Sequence, residues 1–176
     1  MPVHPLKPAA RTHVTTVIVG AGQAGMSASY YLCQAGVDHV VLERHQRFHA
    51  WKADRWDSFC LVTPNWQCKL PDWPYRGDDP TGFMLKDQIV DYVEGFCDSF
   101  DAPLHEGVTV IRVEKVGAGF EVDTDQGLWS CDHVIVASGG YDKPITPPFA
   151  HKLDPTITQI HSKSYRRPSD IPDGTC

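Results

Sequence analysis

The sequence predicts an α/β fold with a largely parallel sheet, and three observations predict it. An apolar run over residues 17–19 enters the glycine-rich segment 20–25, and a helical pattern leaves it. A second apolar run, residues 134–137, is typical of a buried strand in a parallel sheet. Between them, residues 108–124 alternate in polarity, as an antiparallel insertion would. The 176 residues suffice for one packed domain but not for two full-sized ones.

The first part of the chain predicts a strand–helix–strand unit. We expect a strand near residues 14–19, a helix near residues 25–35 and a second strand over residues 39–43. Gly36 follows the helix directly, at the position where a left-handed residue commonly ends one. The two strands should therefore lie side by side and parallel.

The glycine pattern of this unit predicts a dinucleotide site. Gly20 permits the tight turn, Gly22 lets the main chain approach a pyrophosphate, and Gly25 allows the helix to pack closely on the strand. The helix directs free N–H groups and its positive dipole end at the phosphates. Glu43, at the end of the second strand, is placed to accept hydrogen bonds from ribose hydroxyls.

The next segment, residues 48–82, is rich in aromatic residues and proline and has little periodicity. So many aromatic residues argue against disorder, and we expect a folded excursion that covers a ligand. Apolar residues then recur at helical spacing, which predicts an amphipathic helix over residues 86–100.

The polarity pattern changes from helical to alternating at Gly107. Residues 108–113 and 120–124 predict two strands, and residues 128–130 predict a third short strand of the same meander. We expect the run over residues 134–137 to form a separate, buried parallel strand.

Charge and composition exclude several classes of function. The 22 acidic and 16 basic residues give a net charge of −6, which disfavours a nucleic-acid partner. The N-terminus lacks the apolar stretch of a signal peptide, and no run is long enough to span a membrane, so we expect a cytoplasmic protein. Residues 1–11 predict a flexible lead-in to a domain over residues 12–176.

The cysteines and histidines indicate neither a metal nor a nucleophilic site. The nine histidines lack metal-ligand spacing. The cysteines form no Cys-x-x-Cys pair, and counting alone leaves a disulfide open. We interpret them as reduced thiols of the core, with Cys131 at the mouth of a strand. They are Cys33, Cys60, Cys68, Cys97, Cys131 and Cys176.

Two motifs together resemble a family of flavoproteins. The first is the glycine pattern with Glu43 and the adjacent Arg44. The second, Ala137-Ser138-Gly139, resembles the Ala-Thr-Gly segment of flavoproteins with two dinucleotide-binding domains. Its Gly-Gly-Tyr-x-x-Pro continuation is similar to that of the class B flavin-dependent monooxygenases. The resemblance implies a Rossmann-like FAD-binding domain with a β-meander, and FAD rather than NAD as the ligand.

The resemblance also assigns expected roles to individual residues. Trp51 and Arg55 match a segment that lies against FAD, and Thr63 and Asn65 match a loop at the flavin edge, with Asn65 as the catalytic candidate. For Trp51 and Arg55, packing in the core and a surface charge remain the alternative readings. The residues expected to bind the cofactor are Gly20, Gly22, Gln23, Gly25, Glu43, Arg44, Trp51, Arg55, Thr63, Val110, Ala137, Ser138 and Gly139.

For chemistry, the resemblance implies that NADPH reduces FAD. The reduced flavin then forms a C4a-peroxyflavin with dioxygen and oxygenates a small molecule. The protein would supply binding, orientation and exclusion of water. No Ser-His-Asp arrangement is expected.

The sequence after Ser169 lacks a second glycine-rich motif and the later FAD-contacting segment of the family. We therefore expect the N-terminal portion of a monooxygenase, truncated before its NADPH-binding domain or completed by a second chain, and inactive in isolation. A non-enzymatic flavin-binding module is the alternative. A dehydrogenase domain that binds NAD is disfavoured by the aromatic excursion and by the Ala137-Ser138-Gly139 segment.

Overall fold

The computed structural model describes residues 12–141 and 143–174, which form two compact units. Of the described residues, unit 1 comprises 12–47 and 97–138, and unit 2 comprises 48–96, 139–141 and 143–174. The expected lead-in, residues 1–11, lies outside the described residues, as does Cys176. The elements in chain order are β1 (Thr12–Val19), α1 (Gln23–Gln34), β2 (His39–Glu43), α2 (His49–Lys52), β3 (Lys69–Leu70), β4 (Trp73–Pro74), α3 (Lys86–Asp98), β5 (Leu104–Glu106), β6 (Val110–Val116), β7 (Gly119–Thr124) and β8 (Gly127–Val136).

A six-stranded sheet with the order β5-β2-β1-β8-β7-β6 forms unit 1. The four strands β5, β2, β1 and β8 run parallel, and the meander β6–β7–β8 is antiparallel. β1 has a parallel strand on each side, and its Val17 and Ile18 are completely buried, as is typical of the inner strands of a parallel sheet. The predicted α/β fold, a parallel sheet with a β-meander, is confirmed.

The predicted strand–helix–strand unit is present with small changes at its boundaries. β1 begins two residues before the predicted strand, and α1 begins at Gln23, two residues before the predicted helix and within the glycine-rich segment. Gly36 has φ = +64° and follows the last turn of α1, and its N–H donates to the Cys33 carbonyl at 3.0 Å. β2 has the predicted bounds.

The prediction for the end of the meander was wrong. Residues 128–130 and 134–136 belong to one strand, β8, which pairs with β7 through its first half and with β1 over residues 129–136. From Asp132 onward, no strand among the described residues pairs with the second edge of β8, and Val136 is 69% exposed instead of buried. Cys131 consequently lies in the middle of a strand and not at its mouth.

The first meander strand, β6, begins at Val110, two residues later than predicted. Val108 precedes it as a buried loop residue and belongs to the core cluster of unit 1. A β-bulge lies between Val110 and Arg112.

Unit 2 is folded despite its lack of periodicity. Between residues 48 and 85 the regular structure consists of the short helix α2, one 3₁₀ turn over Asn65–Gln67 and the two-stranded β3–β4 ribbon. The predicted amphipathic helix is α3, which ends at Asp98, two residues before the predicted end. Ile89, Val93 and Phe96 of α3 are buried, as their spacing predicts.

The described cysteines are all free thiols, but they are not all in the core. Cys97 and Cys131 are buried, and Cys33 and Cys68 are half-buried. Cys60 is exposed, which corrects its prediction as a core residue, because it lies in an irregular stretch with only an isolated bridge to Leu85. Burial raises the pKa of the Cys33, Cys68 and Cys131 thiols.

None of the helices in the described part of the chain has the length and apolar character needed to cross a membrane.

Candidate functional site

The glycine turn between β1 and α1 is held in a conformation that excludes other residues at two positions. Gly20 has φ = +104°, and a Cβ atom there would lie 2.7 Å from the Ala137 carbonyl oxygen. At Gly25, a Cβ atom would lie 1.9 Å from the Gly20 carbonyl oxygen. The close contact of turn, helix and β8 therefore requires both glycines.

Gly22 differs from its two neighbours in the pattern. It is the N-cap residue of α1 with φ = −81°, which any residue can adopt, and a Cβ atom there would meet nothing within 4 Å. No side chain caps the helix end. The protein itself thus gives no steric reason for glycine at this position, and the open space lies where the first N–H groups of α1 begin.

Glu43 is fixed beside this turn by the main chain. The Ala21 N–H donates to Oε2 and the His45 N–H donates to Oε1, both at 2.8 Å. The carboxylate is half-buried, and each oxygen retains a further lone pair. Two acceptors held at one place suit the two neighbouring hydroxyls of a ribose.

The end of β8 lies beside the glycine turn in unit 1. The Ala137 N–H donates to the Val19 carbonyl at 2.8 Å, which holds the end of β8 against the end of β1. Ala137 is half-buried, and Ser138 after it is exposed. Small residues here leave the carboxyl ends of two neighbouring parallel strands accessible, where open α/β sheets bind ligands.

Unit 2 contains a second cluster of predicted site residues, built around Arg55. The Arg55 guanidinium carbon lies 4.8 Å from the ring centroid of Trp51, 5.2 Å from that of Phe59 and 5.9 Å from that of Tyr141. The buried Nε of Arg55 has no hydrogen-bond partner among the described residues. A buried N–H donor without an acceptor is costly, and an acceptor supplied by a ligand would remove that cost.

Asn65, the catalytic candidate, is only 4% exposed and is bonded on both sides to the main chain. Its Nδ2 donates to the Asp79 carbonyl at 2.9 Å, and its Oδ1 accepts from the Met84 N–H at 2.8 Å. These bonds close the long loop that follows it. A catalytic role for Asn65 stays a prediction, and the structure gives it a structural role that the sequence had not indicated.

The remaining predicted residues are distributed over both units. In unit 1, Gln23 is the first residue of α1 and Arg44 directly follows β2, and both are exposed. Val110 is half-buried at the start of β6. In unit 2, Thr63 is half-buried and Gly139 has φ = +75°. The roles predicted for these residues stay predictions.

Two participants were missed at the sequence level. Ala21 orients Glu43 through its main-chain N–H, and no side-chain pattern can indicate a main-chain donor. Tyr141 stacks with Arg55, and the Gly-Gly-Tyr continuation of the second motif was the signal that pointed to it.

Comparison with known proteins identifies the class. The profile of the pyridine nucleotide-disulphide oxidoreductase family matches residues 17–175, and the chain therefore belongs to this family. An uncharacterised CzcO-like oxidoreductase from Geobacillus kaustophilus is 35% identical over 162 residues, covering 92% of this chain and 46% of the relative. The indole-3-pyruvate monooxygenase YUCCA6 of Arabidopsis thaliana is 31% identical over 145 residues, covering 76% of this chain and 33% of its own length.

Solved structures agree with this assignment. A flavin monooxygenase variant from Stenotrophomonas maltophilia has a TM-score of 0.80 and 26% identity, covering 90% of this chain and 48% of that chain. A steroid monooxygenase bound to NADP, at 21% identity and a TM-score of 0.67, shares the fold. The predicted resemblance to class B flavin monooxygenases is confirmed. The chain spans about half the length, or less, of these relatives.

Proposed function

We propose that this chain binds FAD and supplies the FAD-binding part of an NADPH-dependent monooxygenase that oxygenates a small molecule. The observation that carries the proposal is the contrast within the glycine turn. Packing requires Gly20 and Gly25, whereas nothing in the described protein occupies the space beside Gly22. A glycine that the protein does not need for its own packing is accounted for by a ligand that approaches the main chain there.

The donor and acceptor groups of the turn fit a dinucleotide. The uncapped N-terminus of α1 provides main-chain N–H groups and a positive dipole end for a pyrophosphate. Glu43, held by Ala21 and His45, provides the acceptors for the ribose. The sequence holds one Gly-x-Gly-x-x-Gly motif, so the proposal assigns FAD to this chain and leaves the residues that bind NADPH unassigned.

When bound, the flavin would accept a hydride and activate dioxygen. The protein's own contribution is binding and orientation. The Arg55 cluster offers a cation and a free N–H donor among three aromatic rings, and these groups suit a flat ligand with carbonyl or phosphate oxygens.

The proposal is tested by reconstituting the purified chain with FAD and measuring flavin absorbance after removal of free ligand. We expect oxidised FAD to be held non-covalently and to be released by heat. Binding of NAD with no uptake of flavin would contradict the proposal and favour a dehydrogenase domain.

The variant Gly22→Ala separates a ligand site from a structural turn. A Cβ atom at this position meets no protein atom, so we expect the free energy of unfolding without ligand to change by less than about 0.5 kcal/mol. The dissociation constant for FAD should rise at least about tenfold, because the methyl group takes up space next to the pyrophosphate. Gly174→Ala is the matched control, since Gly174 is equally open and has no positive φ. Unchanged FAD affinity in Gly22→Ala would contradict binding at this turn.

A further inference from the structure

β6 is the terminal strand of the six-stranded sheet, and after Val110 it contains none of the residues predicted to bind the cofactor. β7 pairs with one edge of β6, and no described strand pairs with the other. Three apolar side chains of this strand are exposed: Ile111 by 65%, Val113 by 39% and Val116 by 45%. An open edge with apolar side chains is a template for pairing with another strand.

The turn after β6 determines which main-chain groups face the open edge. Val116 and Gly119 pair across a two-residue loop in which Gly117 has φ = +61°. Such a loop is closed by a hydrogen-bonded pair, and these pairs alternate along an antiparallel ladder. The main-chain groups of Val116, Glu114 and Arg112 therefore point to β7. Those of Lys115 and Val113 point outward and are free to bond.

In the sequence of this strand, Val-Ile-Arg-Val-Glu-Lys-Val, the opposite charges of Arg112 and Glu114 lie on either side of Val113. We infer that β6 pairs antiparallel with β6 of a second copy of this chain, with Val113 opposite Val113 of that copy. In this arrangement Arg112 lies opposite Glu114 of the second copy, and Glu114 lies opposite its Arg112. The outward-facing groups of Val113 make the central hydrogen bonds, and the two-fold axis of the pair runs through them.

Charge complementarity selects this register over its neighbours. Because outward-facing groups recur at every second residue, the next allowed registers place Arg112 opposite Arg112 or Glu114 opposite Glu114 of the second copy. Like charges directly opposite each other destabilise a strand pair, whereas opposite charges stabilise it. Arg112 and Glu114 are 63% and 54% exposed and form an ion pair at 2.9 Å within their own strand, so both charged groups already lie on one face.

Because the bulge lies beside Ile111, only Arg112, Val113 and Glu114 of each copy pair regularly in this register. Pairing of two such short segments buries much less surface than a permanent dimer interface. The proposal is therefore a weak dimer that forms and dissociates with concentration.

Crosslinking at single positions tests the register directly. With Cys60→Ser as background, to remove the exposed native thiol, Val113→Cys should form a disulfide-linked dimer on mild oxidation. Its Cα atom would lie about 5.5 Å from its own copy, within disulfide range. Val116→Cys is the matched control, because six residues of strand would separate it from its copy by about 20 Å. Crosslinking of both variants alike, or of neither, would overturn the proposal.

Sedimentation velocity over a concentration series tests the charges. We expect Arg112→Glu to weaken self-association about tenfold, and the double variant Arg112→Glu with Glu114→Arg to restore it. Lys152→Glu, outside β6 and exposed, makes the same change in net charge and should leave self-association unchanged. A protein that stays monomeric at all concentrations, or a swapped variant that is not restored, would show that this edge does not join two copies.

Discussion

The glycine turn of unit 1 and the aromatic excursion of unit 2 hold their conformations in different ways. In the turn, the contacts are between main-chain atoms: Gly20 donates to the Leu42 carbonyl, and Gly25 packs on the Gly20 carbonyl. The excursion has main-chain bonds as well, such as that from the Leu61 N–H to the Met84 carbonyl, but here side chains add bonds to the main chain. Tyr92 accepts from the Leu70 N–H and donates to the Trp73 carbonyl, and Asn65 bonds on both sides.

This difference explains which region a short motif can describe. Main-chain contacts of the turn depend on small residues at fixed spacing, so the spacing itself carries the information. The contacts of the excursion join residues about 19 positions apart in sequence through side chains of many kinds, as between Trp73 and Tyr92. We expect substitutions in the two regions to have distinct effects: on stability through packing of the turn, on stability through closure of the loop, and on affinity for the ligand.

The largest effect is expected for Gly25→Ala. The new Cβ atom would lie 1.9 Å from a main-chain oxygen that cannot move without displacing the turn. We expect the free energy of unfolding to fall by roughly 3 kcal/mol or more, measured by urea denaturation without ligand. Gly22→Ala, three residues earlier, is the control and should keep its stability. Equal stability of the two variants would refute the assigned difference between these glycines.

The corresponding change in unit 2 is Asn65→Ala. It leaves the buried Met84 N–H and the Asp79 carbonyl without their partner, which should cost about 2–3 kcal/mol of unfolding free energy. Gln67→Ala, in the same 3₁₀ turn but exposed, should cost less than about 0.5 kcal/mol. If Asn65→Ala is as stable as the unmodified chain, the side chain does not close the loop, and its predicted catalytic role becomes the better account.

A smaller effect, confined to ligand binding, is expected for Glu43→Gln. The variant keeps the shape but loses charge-assisted acceptance, so FAD affinity should fall about tenfold to a hundredfold, or about 1.5–3 kcal/mol. Titration of FAD fluorescence measures this. Glu106→Gln is a matched control, because Glu106 pairs with Glu43 in the parallel register of β2 and β5. A loss of affinity in both variants would indicate a general effect of charge and not a ribose contact.

The smallest perturbation is thiol labelling of the unmodified chain. Cys60 is exposed and should react first with a maleimide, whereas the buried Cys131 should react last. Burial raises the pKa of Cys68, so at pH 7 it holds less thiolate than an ordinary cysteine, and its labelling should accelerate as the pH rises toward that pKa. Mass spectrometry of peptides gives the order. Early labelling of Cys131 would show that β8 opens readily.

The sequence alone determined the strand–helix–strand unit, the glycine turn and the position of Glu43. These features depend on local periodicity and on spacing within about 25 residues, which a linear pattern contains. The α3 helix was predictable for the same reason, because its apolar face repeats regularly.

Only the tertiary structure decided the rest. Whether the apolar end of β8 is buried depends on what packs against its faces, and not on its own residues: Val136 pairs with Val19 and is still 69% exposed. The partners of Asn65 are main-chain groups of Asp79 and Met84, which no pattern of side chains indicates. The cluster of Arg55 with Tyr141 joins positions far apart in the chain. Non-local contacts are formed by the fold as a whole, so no window of sequence contains them.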